Sequence, residues 1–183
     1  IFIREQTVEE ENTIVIFEIT LSNLKASGEI DEQDFMDRVE LLCSLGHTVM
    51  ISNFQEYYKL VEYLNNYTKE RMGLTMGVNN LSDVFDEKYY RHLSGGIRVA
   101  FGKLFFKNLR VYLYPMKDAE SGRILTSNNI KVHPRMKELY KFFKYNGKVM
   151  DIIDYDPDVL HIYSRDVLKK MTNQDEGWEE MLP

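Results

Sequence analysis

Thr13-Ile14-Val15-Ile16-Phe17-Glu18-Ile19-Thr20 and Gly46-His47-Thr48-Val49-Met50-Ile51-Ser52-Asn53 are the two stretches that decide the fold. Each is apolar on successive residues rather than on alternate ones, the pattern of a strand buried on both faces of a parallel sheet. Each also ends in polar residues, where α/β folds hold their ligands. The segment between them punctuates as one helix. Gly28 bends the turn over residues 22–30, Asp31 stands as N-cap, and Glu32 and Asp34 complement the dipole of the first turn. Phe35, Val39, Leu42 and Leu45 recur at helical spacing, and Gly46 supplies the stop.

The rest of the chain continues the alternation. Asn53, with Glu56 at the third position, reads as a capping-box variant opening a second helix whose stripe is Tyr57, Leu60, Val61 and Leu64. A third strand over residues 71–78 closes with Asn79-Asn80. A helical stretch over 82–106 follows, broken at Ser94-Gly95-Gly96. Residues 109–114 form a fourth strand stopped by Pro115, which cannot donate to a ladder. Residues 117–134 read as a long excursion with a hairpin across the sheet edge. Beyond it come a helix at 135–145, a strand at 148–153, a strand-like 159–163 and a helix at 165–171. Strands separated by helices predict a three-layer α/β fold with a mostly parallel, doubly wound, Rossmann-like sheet. The expected organisation is an acidic leader at 1–12, a single α/β domain at 13–171 and an acidic tail at 172–183.

Composition narrows the function classes. No apolar run reaches the roughly 20 residues that span a bilayer, so no membrane partner is expected. Cys43 is the single cysteine, so no internal disulfide forms and a reducing, cytoplasmic setting is expected. A net charge of −6 argues against a dedicated nucleic-acid surface. The one basic stretch, 131–148, interleaves with Tyr140, Phe142, Phe143 and Tyr145 and reads as a helix with an apolar core face and a solvated basic face. The chain opens at Ile1 without methionine or signal-like segment, which leads us to expect a piece of a longer protein. The upstream region of its own chain is then the first expected partner, and a second copy the next.

In a parallel sheet the polar strand ends converge on one rim. Those residues are Glu18, Thr20, Ser22 and Asn23 from the first strand, Ser52 and Asn53 from the second, and Asn79 and Asn80 from the third. They are the candidate site. Ser22, Asn23, Asn53, Asn79 and Asn80 are candidates for holding a small anionic metabolite, while Glu18, Thr20 and Ser52 are the catalytic candidates. Helix capping, backbone satisfaction and a surface ion pair are the structural alternatives. His47, His92, His133 and His161 show no metal-ligand spacing, and Cys43 is expected on a core face, so no zinc signature is present. Ser94-Gly95-Gly96-Ile97-Arg98 reads as a helix break that lets another element pack closely, the alternative being a helix start over an anion with Arg98 assisting.

The strand, then acid-x-polar-Leu, helix, and Leu-Gly-His-Thr-Val-Met-Ile-Ser-Asn resembles the first two motifs of the haloacid dehalogenase-like phosphatases. The resemblance puts Glu18 at the nucleophile position, Thr20 at the acid/base position and Ser52 at the phosphate-holding position. It implies magnesium, with Glu18, Asp151 and Asp154 as its ligands and Asp156 as a further late acid, and Lys103 or Lys107 as the family's lysine. Glutamate carries one methylene more than the family's aspartate, and threonine is no proton donor to a leaving alkoxide.

Leu74-Thr75-Met76-Gly77-Val78-Asn79-Asn80-Leu81, Phe85-Asp86-Glu87-Lys88-Tyr89-Tyr90, Ser94-Gly95-Gly96-Ile97 and Phe101-Gly102-Lys103-Leu104-Phe105 are similar to the C-terminal part of a family of longer bacterial proteins. That family has no established activity and carries labels including nicotinate-nucleotide adenylyltransferase and TonB-dependent receptor. The first label implies an accessory domain of such an enzyme, yet Gly46-His47 lacks the preceding histidine of a His-x-Gly-His turn. The second needs many alternating strands. The expectation is therefore a non-catalytic C-terminal α/β domain of a larger bacterial cytosolic protein that mediates assembly or binds a small anionic metabolite. It carries no evident cofactor. The alternative is a phosphohydrolase or phosphotransferase using Glu18 and magnesium.

Overall fold

Gly46 and Pro115 set the limits of the two clearest strands, and the computed structural model, which describes residues 13–21, 32–106 and 109–181, shows how. In chain order it runs β1 (Ile16–Thr20), α1 (Glu32–Ser44), β2 (Thr48–Ser52), α2 (Tyr57–Leu64), β3 (Met72–Gly77), α3 (Val78–Val84), α4 (Ile97–Leu104), β4 (Leu109–Tyr114), β5 (Met116–Lys117), β6 (Ile124–Leu125), α5 (Lys137–Tyr145), β7 (Val149–Asp151) and α6 (Ser164–Asn173). This is a mixed α/β protein with parallel sheets. Its described residues fall into two compact units, 13–70 with 93–106 and 71–92 with 109–181.

In the first unit β1 pairs with β2 in parallel, Ile16 opposite Thr48 and Thr20 opposite Ser52. The helix leading into β2 ends in a Schellman closure. The His47 N–H donates to the Leu42 carbonyl at 3.1 Å, the Gly46 N–H donates to Cys43 at 2.9 Å, and Gly46 takes φ +80°. A residue with a Cβ resists that conformation, which is why the stop is glycine. α4 packs on α2, and Tyr58, Leu60, Val61, Ile97, Ala100, Phe101 and Leu104 are buried.

Several expectations are corrected here. The strands are not buried throughout: Ile16, Phe17 and Ile51 are exposed, as is Ile14 just ahead of β1 at 77%. Among the described residues the pairing within this sheet is confined to two strands, and of the apolar residues of α1 only Phe35 is buried. Cys43 and Leu45 are exposed rather than on a core face. The buried stripe of α2 holds Tyr58 with Leu60 and Val61, while Tyr57 and Leu64 are half-buried. The N-cap of α2 is Glu56, with extended backbone and no side-chain cap bond, so Asn53 does not cap it.

The second unit carries a three-stranded parallel sheet in the order β3-β4-β7, with Met72 opposite Leu109 and Val111 opposite Val149. β4 lies in the middle, and Leu109, Val111, Tyr112 and Leu113 are all buried, as its continuous apolar run requires. The stop before β7 repeats the device before β2: the Lys148 N–H donates to Phe143 at 2.9 Å, the Gly147 N–H donates to Lys144 at 3.0 Å, and Gly147 takes φ +63°. The expected hairpin is present, with β5 and β6 antiparallel and Met116 opposite Leu125. Phe85 meets the Tyr140 ring edge-on at 5.1 Å.

Two further expectations in this unit are corrected. β3 ends at Gly77, and Asn79 and Asn80 sit in the first turn of α3, because Gly77 already has the extended backbone of a helix N-cap. Residues 157–159 form a 3-10 turn instead of opening a strand. Pro157 starts that turn, and Asp156 accepts the Asp158 N–H at 2.8 Å.

Candidate functional site

The alternation of a strand puts Glu18 and Thr20 on one face of β1, and the parallel register puts Met50 and Ser52 beside them on β2. Glu18 reaches diagonally past Met50 to Ser52, whose hydroxyl donates to the Glu18 carboxylate. The same hydroxyl accepts the Phe54 N–H at 3.2 Å. The Thr20 hydroxyl donates to the Phe54 carbonyl at 2.9 Å. The two hydroxyls thus satisfy both main-chain groups of Phe54 just past β2, and both residues are buried while Glu18 is half-buried.

A hydroxyl carries one proton. The Ser52 proton is committed to Glu18 and the Thr20 proton to Phe54. The arrangement therefore works as a clamp across the carboxyl ends of β1 and β2.

Of the residues read from the sequence, the structure brings Glu18, Thr20 and Ser52 together. Asn53, exposed, lies between Ser52 and the clamped Phe54. Ser22 and Asn23 lie outside the described residues, as does Lys107. Lys103, in the same unit, pairs with Glu62 at 2.8 Å and stands 6.0 Å from the Tyr58 ring centroid. Asn79 and Asn80 belong to the second unit, where both are exposed on α3. Asp154 is exposed. Among the described residues no group of three or more His, Cys, Asp or Glu side chains could hold a metal ion. The helix break at Gly95-Gly96 is present, with φ +111° and +61°; a Cβ at Gly95 would stand 2.7 Å from Val99 Cγ2.

Asp151 proves to be part of a cluster that sequence reasoning missed. Its two carboxylate oxygens accept the Ser127 N–H at 2.7 Å and the Ser127 hydroxyl at 2.6 Å. The Tyr140 hydroxyl donates to the Ser127 carbonyl at 2.6 Å. Burial pushes the Tyr140 phenol up to about 12, with the Ser127 side chain opposing it and the nearby Asp151 charge acting in the same direction as burial. The loop after β6 is thereby fastened to the carboxyl end of β7. The available signal was the turn chemistry of Thr126-Ser127-Asn128-Asn129, in which the Asn129 side chain accepts the Thr126 N–H at 2.8 Å and donates to the Ile124 carbonyl at 2.8 Å.

Comparison with protein-family models, with curated proteins and with solved structures gives no match. No helix among the described residues is long and apolar enough to cross a membrane.

Proposed function

We propose that this chain is a non-catalytic α/β domain, the C-terminal part of a larger bacterial cytosolic protein, and that its role is assembly. Its fold on this reading is a doubly wound, Rossmann-like relative of the haloacid dehalogenase-like phosphatases whose motif positions have been converted to structure. The observation that carries the reading is the clamp: the residues at the nucleophile, acid/base and phosphate-holding positions are committed to one another and to the Phe54 main chain. The assembly role is supported by the apolar residues that the first unit leaves in solvent, among them Ile14, Ile16, Phe17, Leu41 and Leu45.

The test is turnover of a generic phosphomonoester with magnesium by the wild type and by Glu18→Gln, with thermal unfolding of both. The expected result is no magnesium-dependent turnover in either protein. Turnover in the wild type that Glu18→Gln loses at unchanged stability would overturn the reading.

A second reading rests on one observation. Glu18 and Ser52 do meet at the carboxyl ends of adjacent parallel strands, the place where the phosphatase resemblance puts nucleophile and phosphate holder. Under it, Glu18 attacks phosphorus with magnesium bound beside it. The same assay decides between the two.

A further inference from the structure

Two oppositely charged surfaces lie in the second unit. The first is a basic-aromatic ridge. Residues 131–148 hold six basic side chains and one acid, Glu138. Along α5, Lys137, Lys141 and Tyr145 recur every fourth residue and so form one line on the helix. Tyr145 is 93% exposed and the neighbouring Phe142 59%. Lys141 is paired with Glu138 at 2.7 Å, and Lys144 donates to Asn128. Among the described residues Lys131, Arg135 and Lys137 form no ion pair.

The second surface is the segment past α6. Asp175, Glu176, Glu179 and Glu180 are exposed around a half-buried Trp178 and Met181, with no basic residue among 174–181. Among the described residues none of these four carboxylates forms an ion pair.

Part of each surface opposes the helix that carries it. Arg135 and Lys137 stand at the amino end of α5, where the dipole favours anions, and Asp175 and Glu176 follow the carboxyl end of α6, where it favours cations. Neither placement serves its own helix, and the two signs and the aromatic content of the surfaces are complementary. An exposed phenyl ring and phenol amid lysines match a segment that alternates carboxylates with Trp178 and Met181.

We propose that the occupant of the α5 ridge is the 175–181 acidic segment of a second copy of this chain, seated so that the carboxylates face Lys137, Lys141 and Arg135. This names the partner in the assembly reading and rests on it. Exchange is reciprocal, each copy giving its segment to the other's ridge, which closes the pair. Added salt weakens such a contact, because charges at a solvated surface are screened over about 8 Å at physiological ionic strength.

The test is sedimentation of the 183-residue chain over a range of protein and salt concentrations, with K137E/K141E, E179K/E180K and an equimolar mixture of the two, and with circular dichroism to show that each is folded. The wild type is expected to dimerise, with at least a tenfold loss of affinity in either variant alone. In the mixture each altered ridge meets an altered segment of opposite sign, so dimerisation is expected to return. A wild-type dimer indifferent to both variants would overturn the ridge–segment contact and leave the assembly reading standing. A wild type that stays monomeric at every concentration would overturn the self-association, and binding of a single-stranded oligonucleotide by that monomer would reassign the ridge to nucleic acid.

Discussion

The two units use the same local device and reach opposite ends. In each, a helix closes on a Schellman glycine, Gly46 or Gly147, and feeds a parallel strand. In the first unit the strand ends are held by side chains, Glu18 to Ser52 and Thr20 and Ser52 to Phe54, while Ile16, Phe17 and Ile51 stay in solvent. In the second unit Leu109, Val111, Tyr112 and Leu113 of β4 are buried, and the carboxyl end of β7 is closed by a distant loop through Asp151 and Ser127. A polar residue at a strand's carboxyl end is thus not by itself a ligand site. At the ends of β1 and β2 the Thr20 and Ser52 protons are already given to the Phe54 carbonyl and the Glu18 carboxylate.

The sharpest way to break this contrast is to truncate the apolar residues of both sheets. Leu113→Ala, at 0% exposure, is expected to cost about 2–5 kcal/mol, and Ile51→Ala less than about 1 kcal/mol, in urea unfolding. Equal costs would erase the difference between the sheets. Next in size, Asp151→Ala removes both acceptors of Ser127, leaves a buried N–H and hydroxyl unpaired, and is expected to cost about 2–3 kcal/mol.

The same cluster has a pH signature. Tyr140 titrates from about 12 in the folded chain against an ordinary 10.0, so its stabilisation is complete below pH 10 and is lost as pH rises from there toward about 12. Wild-type stability is therefore expected to fall more steeply across that window than that of Tyr140→Phe.

Much of the fold was legible. β2 and β4 run over Thr48–Ser52 and Leu109–Tyr114 as their largely apolar runs, the helix stop at Gly46 before β2 and Pro115 after β4 indicate. The break at Gly95-Gly96 was legible because positive φ selects glycine. Convergence of Glu18, Thr20 and Ser52 was also legible, since strand alternation and parallel pairing bring them together. Their shared partner was not, because it is the main chain of Phe54, which is the same in any residue. The cap of α2 was misread from Asn53 for a related reason: an asparagine beside a strand end suits a cap, a turn or a ligand equally, and the extended backbone that makes Glu56 the cap leaves no trace in the sequence. Ser127 meets Asp151 across 24 residues, which leaves no periodic trace.

Smaller effects sharpen the account of the first unit. Ser52→Ala severs two bonds of the clamp and is expected to cost about 1–2 kcal/mol, whereas Glu18→Gln keeps an acceptor oxygen and is expected to stay within about 0.5 kcal/mol of the wild type. A small effect of the opposite sign is expected at the cap of α6. Gln174 holds φ +59° where α1 and α5 use glycine, so Gln174→Gly is expected to gain about 0.5–1 kcal/mol in thermal unfolding.

The most direct test of the clamp is amide hydrogen exchange at Phe54, followed with and without magnesium and a phosphomonoester. The Phe54 N–H bonded to Ser52 is expected to be protected in the wild type, exposed in Ser52→Ala, and indifferent to both additions. A Phe54 amide unprotected in the wild type, or one released when magnesium and phosphate are added, would contradict the assignment of Glu18, Thr20 and Ser52 to structure.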